Sequence, residues 1–133
     1  MLEVVFKENK DNLAFIDGDQ QITYAQFKKD IAKYRNVLIE QGIKQYDRVG
    51  LLATNSYEFI KGFFAITTLG CCACCLPPQI DERTIYGCTL KFNLSAIVFH
   101  DSLKEKVQYA FEQGKKVISL STSSNKEASP VLS

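Results

Sequence analysis

A mostly parallel β-sheet flanked by helices on both faces, with an N-terminal β-hairpin attached, is the α/β architecture this sequence predicts. Three observations predict it. Short apolar runs bounded by turn residues alternate with helical stretches of ten or more residues, the order that β-α-β units require. Those stretches open on Thr, Asn, Asp or Ser, and two of them close on Gly42 and Gly114. Near the start, Asp17-Gly18 separates two extended runs, and such a pair tolerates the positive φ angles of a tight turn.

"LAFI" (13–16) and "QIT" (21–23) flank that turn and form the hairpin. Thr23 then opens a helix: its hydroxyl caps the free N–H groups of the first turn, and Gln26 reaches back to it in a capping box. Phe27, Ile31, Tyr34 and Leu38 recur at helical spacing, so one face is buried. "RVGLLA" (48–53) is a strand, and Asn55, with Glu58 at its third position, caps the next helix. This helix, "YEFIKGFFAITTLG", is apolar on nearly every side, which predicts a central position under neighbours. "CCACCL" follows, then a third helix from about Asp81 to Phe92 and the strand "SAIVF". A fourth helix opens at Ser102, with Glu105 completing another capping box, and ends near Gly114 before the strand "KVISL". Residues 1–120 make one α/β unit. The Ser-rich stretch 121–133, "STSSNKEASPVLS", has no apolar periodicity and is expected to be a mobile linker toward further sequence.

With 46% hydrophobic and 23% charged residues in 133, the chain has the composition of a globular domain with a real core, not of a collagen-like or disordered one. Sixteen basic residues against fifteen acidic give a net charge of +1, so nothing calls for nucleic acid or an anionic membrane. The basic run "FKKDIAKYR" is broken by Asp30 and apolar residues and reads as a solvated helix face. "MLEVVFKENK" lacks the pattern of a secretory signal, and a cytoplasmic location is expected. The uncharged stretch Gly62 to Leu76, interrupted by Gly70, falls short of the roughly 20 apolar residues of a membrane span.

Four of the five cysteines, Cys71, Cys72, Cys74 and Cys75, crowd one short segment. A structural zinc site needs four converging ligands, usually as two spaced pairs. On a strand, Cys71 and Cys75 point one way and Cys72 and Cys74 the other, so four ligands cannot converge. Gly70 on one side and Pro77-Pro78 on the other favour the strand, and the thiols are expected to be reduced, metal-free and mostly buried as small apolar groups. A redox or catalytic thiol would need a base or helix N-terminus to lower its pKa. The single histidine, His100, stands at a strand end, where a polar edge residue is ordinary. Together with Thr54, Asn55 and Pro77 at the other strand ends it makes no catalytic set.

"ITYAQF" (22–27), "GIKQYDRVGLLATNSYEFIKGFFAITTLGC" (42–71) and Pro77 after the following strand stand in a distinctive order. That order resembles the N-terminal portion of the adenylate-forming superfamily: acyl-CoA synthetases, 4-coumarate-CoA ligases, luciferases and nonribosomal-peptide adenylation domains. The likeness covers roughly residues 13 to 120. It departs from the family in "CCACC", where Ala, Val or Tyr is usual, and at Pro78-Gln79, where Leu-Asn or Leu-Asp is commoner. The resemblance implies a parent enzyme that activates a fatty, aromatic or amino acid carboxylate with ATP and Mg²⁺ as an acyl-adenylate and passes it to a thiol, coenzyme A. It also implies that the family's Gly-rich phosphate loop, its lysine and its nucleotide contacts lie beyond residue 133. "STSSNK" (121–126) has hydroxyls and a lysine but no glycine, and "TNSYE" after the strand 48–53 has none either. No catalytic, cofactor-binding or metal-binding residue is therefore expected in this chain, which is expected to be inactive alone and to self-associate through surface meant for its parent. A stand-alone binding or regulatory module of the same fold is the alternative.

Overall fold

The structure, a computed structural model, describes residues 2–4 and 13–123. Two sheets organise it. The N-terminal one is antiparallel, in the order β1 (Leu2–Val4), β2 (Leu13–Asp17), β3 (Gln20–Thr23). Gly18, at φ +63°, turns β2 into β3 as expected, with Asp17 paired to Gln20. Strand β1 has no counterpart in the sequence reading. Three residues are too few to carry a period, and only pairing with β2 defines them.

The second sheet is wholly parallel, in the order β5-β4-β6-β7, from β4 (Arg48–Leu52), β5 (Cys72–Leu76), β6 (Ala96–Phe99) and β7 (Val117–Ser119). Four helices cross between strands: α1 (Tyr24–Glu40), α2 (Tyr57–Thr68), α3 (Glu82–Lys91) and α4 (Lys104–Glu112). Each face of the sheet is covered. Val49, Leu51, Val98 and Ile118 pack with Ile31, Leu38 and Ile66 of α1 and α2 in one core. Leu52, Ile97 and Phe99 pack with Ile85 of α3 and with Val107 and Ala110 of α4 in the other. Such a parallel sheet, buried on both sides, explains why its strands read as continuous apolar runs. A third cluster, Phe15, Ile22 and Tyr57 with Phe27, joins the antiparallel sheet to α2.

All four helices stop in the same manner. A residue in the left-handed region follows the cap, and the next N–H bonds back five residues: Ile43 to Leu38, Cys71 to Ile66, Leu94 to Thr89 and Lys115 to Ala110. Glycine supplies that conformation three times and Asn93 once.

The helix starts depart from the expected caps. Thr23 accepts from Gln26 N at 3.1 Å, but the Gln26 side chain turns forward to Asp30 Oδ1 at 2.6 Å, so only half of that capping box forms. Helix α2 is capped by Ser56, which accepts from Phe59 N at 3.3 Å, not by Asn55. After β6, His100 Nδ1 accepts from Ser102 N at 3.1 Å and opens a 3-10 turn (Asp101–Leu103) that leads into α4; Ser102 and Glu105 form no box. Nor is α2 covered all round: among the described residues, Phe64 remains 40% exposed.

The cysteines require a further correction. Cys71 is buried and Cys74 and Cys88 are half-buried, but Cys72 and Cys75 are exposed. The reason is topological, because β5 is the edge strand and no strand of the described residues pairs with its outer side.

Candidate functional site

Strand β4 comes first and its successors lie on opposite sides of it, β5 on one and β6 on the other, so the connections diverge at the C-terminal ends of β4 and β6. Ligands of open α/β sheets bind at such a divergence. The residues that converge there are Ser56 and Tyr57 after β4, His100 to Ser102 after β6, and Ser119 to Ser121 after β7.

Their polar groups satisfy one another. At the α2 N-terminus the Phe59 N–H donates to Ser56 Oγ and the Tyr57 N–H to Asp17 Oδ2 at 2.8 Å, so the hairpin carboxylate sits where an anion would. The Tyr57 hydroxyl donates to Asp30 Oδ2 at 2.7 Å. Burial first, then that bond to Asp30, pushes the Tyr57 pKa well above the ordinary phenol value. Across the divergence, the Ser119 and Ser121 hydroxyls both donate to the Asp101 carboxylate. Those two bonds, Ser119's the stronger, hold the Asp101 carboxyl below its ordinary value.

Two residues from the helices pin the exit of β7. The Tyr34 hydroxyl donates to Ser119 O at 2.8 Å, and burial raises its pKa far out of the physiological range. Lys61 Nζ donates to Leu120 O at 2.9 Å, pairs with Glu58 at 2.6 Å and lies over the Tyr34 ring, 5.1 Å from its centroid. Leu120 packs so closely on α2 that a Cβ on Gly62 would stand 2.6 Å from its Cδ2.

Of the strand-end residues singled out in the sequence, Thr54, Asn55 and Pro77 are exposed and His100 is half-buried. The Thr54 carbonyl accepts from Ser56 Oγ at 3.2 Å, and His100 caps its own turn while its Nδ1 meets Ser102 Oγ at 2.8 Å. Asp101, Ser119 and Ser121 escaped the sequence reading because they lie 18 and 20 residues apart and meet only through the parallel pairing of β6 and β7. Of the "STSSNK" segment, Ser121 to Ser123 are exposed, while 124–126, like most of the expected linker 121–133, lie outside the described residues.

This arrangement fixes backbone. The Tyr57 and Phe59 N–H groups of α2, the Ser56, Ser119 and Ser121 hydroxyls and the Lys61 ammonium are engaged internally, and no glycine lies between β4 and α2. Burial also pushes the Cys71, Cys74 and Cys75 thiols up, the reverse of what nucleophilic catalysis needs. A shallow depression of about 410 Å³ at the α3 N-terminus is lined by Asp81, Glu82, Arg83 and Thr84, and there Asp81 already caps Thr84 N at 2.7 Å. Among the described residues, no three His, Cys, Asp or Glu side chains group to hold a metal, and no helix is long and apolar enough to cross a membrane.

Comparison with known proteins adds the wider context. Residues 2–131 match the family model described as "AMP-binding enzyme". A medium/long-chain-fatty-acid–CoA/3-oxocholest-4-en-26-oate–CoA ligase of Mycolicibacterium smegmatis is 35% identical over 60 residues, which are 45% of this chain and 11% of the ligase. A 4-coumarate–CoA ligase of Vanilla planifolia is 29% identical over 105 residues, 78% of this chain and 19% of that one. Among solved structures, a benzoate CoA ligase from Burkholderia xenovorans superposes with TM-score 0.76 over 92% of this chain and 28% of its own, at 15% identity. A Mycobacterium tuberculosis fatty acyl CoA synthetase superposes with TM-score 0.70 over 86% and 25%, at 21% identity. The chain thus spans between about a tenth and a fifth of the length of these two curated relatives.

Proposed function

Because this chain belongs to the AMP-binding enzyme family, we propose that it is the N-terminal part of an AMP-forming acid–thiol ligase. The parent joins a carboxylate to the α-phosphate of ATP with release of pyrophosphate, and coenzyme A then displaces AMP to give the thioester. ATP, Mg²⁺ and coenzyme A are the parent's; none is held by this chain. The observation that carries the reading is the extent of the family match, from residue 2 to residue 131, which takes in the whole α/β unit and not one short motif. The names of the relatives support acyl-CoA formation, and a medium- or long-chain fatty acid is the first substrate to test.

In this reading the chain supplies one subdomain and a wall, with no residue that acts on the acid or holds the parent's ATP, Mg²⁺ or coenzyme A. What supports that assignment is the internal use of the Ser56, Ser119 and Ser121 hydroxyls, the Tyr57 and Phe59 N–H groups and the Lys61 ammonium, which takes these donors away from transition-state charge. The reaction is placed in the cytoplasm, where five unpaired thiols stay reduced. Separated from its parent, the chain self-associates.

Carboxylate-dependent ATP–pyrophosphate exchange tests the proposal, with fatty, aromatic and amino acids as parallel arms. The full-length parent is expected to exchange with one acid class, and the 133-residue chain to stay at background. Exchange by the chain alone, after host ligases are removed, overturns the wall assignment. A parent that exchanges with none of the acids overturns the ligase reading.

A further inference from the structure

The crowded cysteines play no part in the ligase reading, yet the structure arranges two of them in a particular way. Cys72 and Cys74 lie two apart on β5, so both point to the same side of the sheet. Cys72 is exposed and Cys74 is half-buried. In the parallel register Arg48 lies opposite Cys72 and Gly50 opposite Cys74, so the guanidinium shares that side of the sheet. Arg48 Nη1 donates to Phe92 O at 3.2 Å, which anchors the charge beside the pair. Leu94 and Leu76 close over Gly50 from the core, and no described strand pairs with the outer flank of the edge strand.

Geometry decides what such a pair can hold. Two residues along a strand span about 6.6 Å with parallel Cα–Cβ bonds, whereas a disulfide needs Cβ atoms about 3.8 Å apart. Direct oxidation would buckle β5. One atom placed between the two sulfurs removes that conflict. Zinc and iron–sulfur centres are excluded by ligand number, since they take four, and no third His, Cys, Asp or Glu joins the pair among the described residues. Soft thiolates select Cu(I), which is content with two sulfurs in line.

We propose that Cys72 and Cys74 form a two-thiolate site for Cu(I), with Arg48 as its counter-charge. Binding breaks two S–H bonds, forms two Cu–S bonds and releases two protons to solvent, with the copper unchanged in oxidation state. The resulting centre carries one negative charge, which Arg48 balances. The assignment is independent of the ligase reading.

The test presents Cu(I) as its bicinchoninate complex to the reduced full chain under anaerobic conditions. One Cu(I) per chain is expected to pass from chelator to protein. Cys72→Ser and Cys74→Ser each weaken uptake by more than about tenfold, while Cys71→Ser, Cys75→Ser and Cys88→Ser leave it unchanged. Arg48→Gln weakens it without changing the stoichiometry. In the unsubstituted chain, Cu(I) protects Cys72 and Cys74 from iodoacetamide and leaves Cys75 open to it, a readout that no folding defect can mimic. Failure to take copper from the chelator, uptake indifferent to both Cys72→Ser and Cys74→Ser, or equal protection of Cys75 overturns the site.

Discussion

Tyr46 holds φ at +75° while its ring is 84% exposed, so left-handed backbone strain has no packing to offset it. A Cβ in that region costs about 1–2 kcal/mol, and glycine gives back about 0.5–1 kcal/mol through the freer unfolded chain. Tyr46→Gly is therefore expected to stabilise the fold by about 0.5–1 kcal/mol, and Tyr46→Ala, which keeps the Cβ, to leave it unchanged; urea midpoints at constant slope decide. Asp101 gives a second prediction. Its folded pKa lies below the ordinary 3.8, so its contribution is present above that value and is lost as pH falls through the folded one. Asp101→Asn should lower stability at neutral pH by well under 1 kcal/mol, roughly, because the carboxylate is exposed. The gap from the unsubstituted chain should close as pH falls through the folded pKa, below the ordinary 3.8, which acid and neutral urea titrations measure. The exposure of Cys72 and Cys75 was hidden from the sequence for a simple reason: "CCACC" specifies a strand, but only the order of strands makes it an edge.

Two helical glycines separate propensity from packing. Gly87 in α3 has no atom within 4 Å of the Cβ it lacks, so Gly87→Ala should gain the helix preference of about 1 kcal/mol. Gly62 in α2 would place a Cβ 2.6 Å from Leu120 Cδ2 and 3.3 Å from Leu51 Cδ1, and both leucines are fully buried. Overpacking of that kind costs about 1–3 kcal/mol, which outweighs the same propensity gain, so Gly62→Ala should destabilise by up to about 2 kcal/mol. Thermal or urea unfolding of the pair reads opposite signs; equal signs would show that Leu120 yields freely. Element type was legible for all four helices and six of the seven described strands, the four of the parallel sheet because double covering makes strands into apolar runs and helices into amphipathic stretches. The β2–β3 hairpin was legible from its turn, and β1 was not. The caps were less so. Asn55 and Ser56 are both good capping residues, and the choice falls to Ser56 because the hairpin's Asp17 reaches the Tyr57 N–H and sets where the helix begins. His100 acts as a cap through a ring nitrogen, a role that residue statistics do not favour.

Across the described residues, the outer flank of β5, which no described strand pairs, is the feature most at odds with an isolated life. Cys72 N donates to Asp47 O, and by the alternation of a parallel ladder Ala73 and Cys75 present their N–H and C=O groups outward. No charge or proline within "CACCL" guards that edge. Cys75→Lys, at an exposed position, is expected to reduce self-association of the chain in sedimentation velocity under reducing conditions while leaving its circular dichroism unchanged. Persistence of the associated species would direct attention to Phe64 on α2 instead. The strand-end cluster has its own reach along the chain. Tyr34 and Ser119, joined by a hydrogen bond, are 85 residues apart, and Lys61 and Leu120 are 59 apart. On the ribosome, at about 5–20 residues per second, Tyr34 therefore waits about 4–17 s for its acceptor to be made. Until β7 has left the exit tunnel, the α1–α2 side of the sheet lacks Ile118 and Leu120, and a chaperone that recognises apolar strands has the synthesis time from Val98 to Ile118, about 1–4 s, in which to hold Val98 and its neighbours.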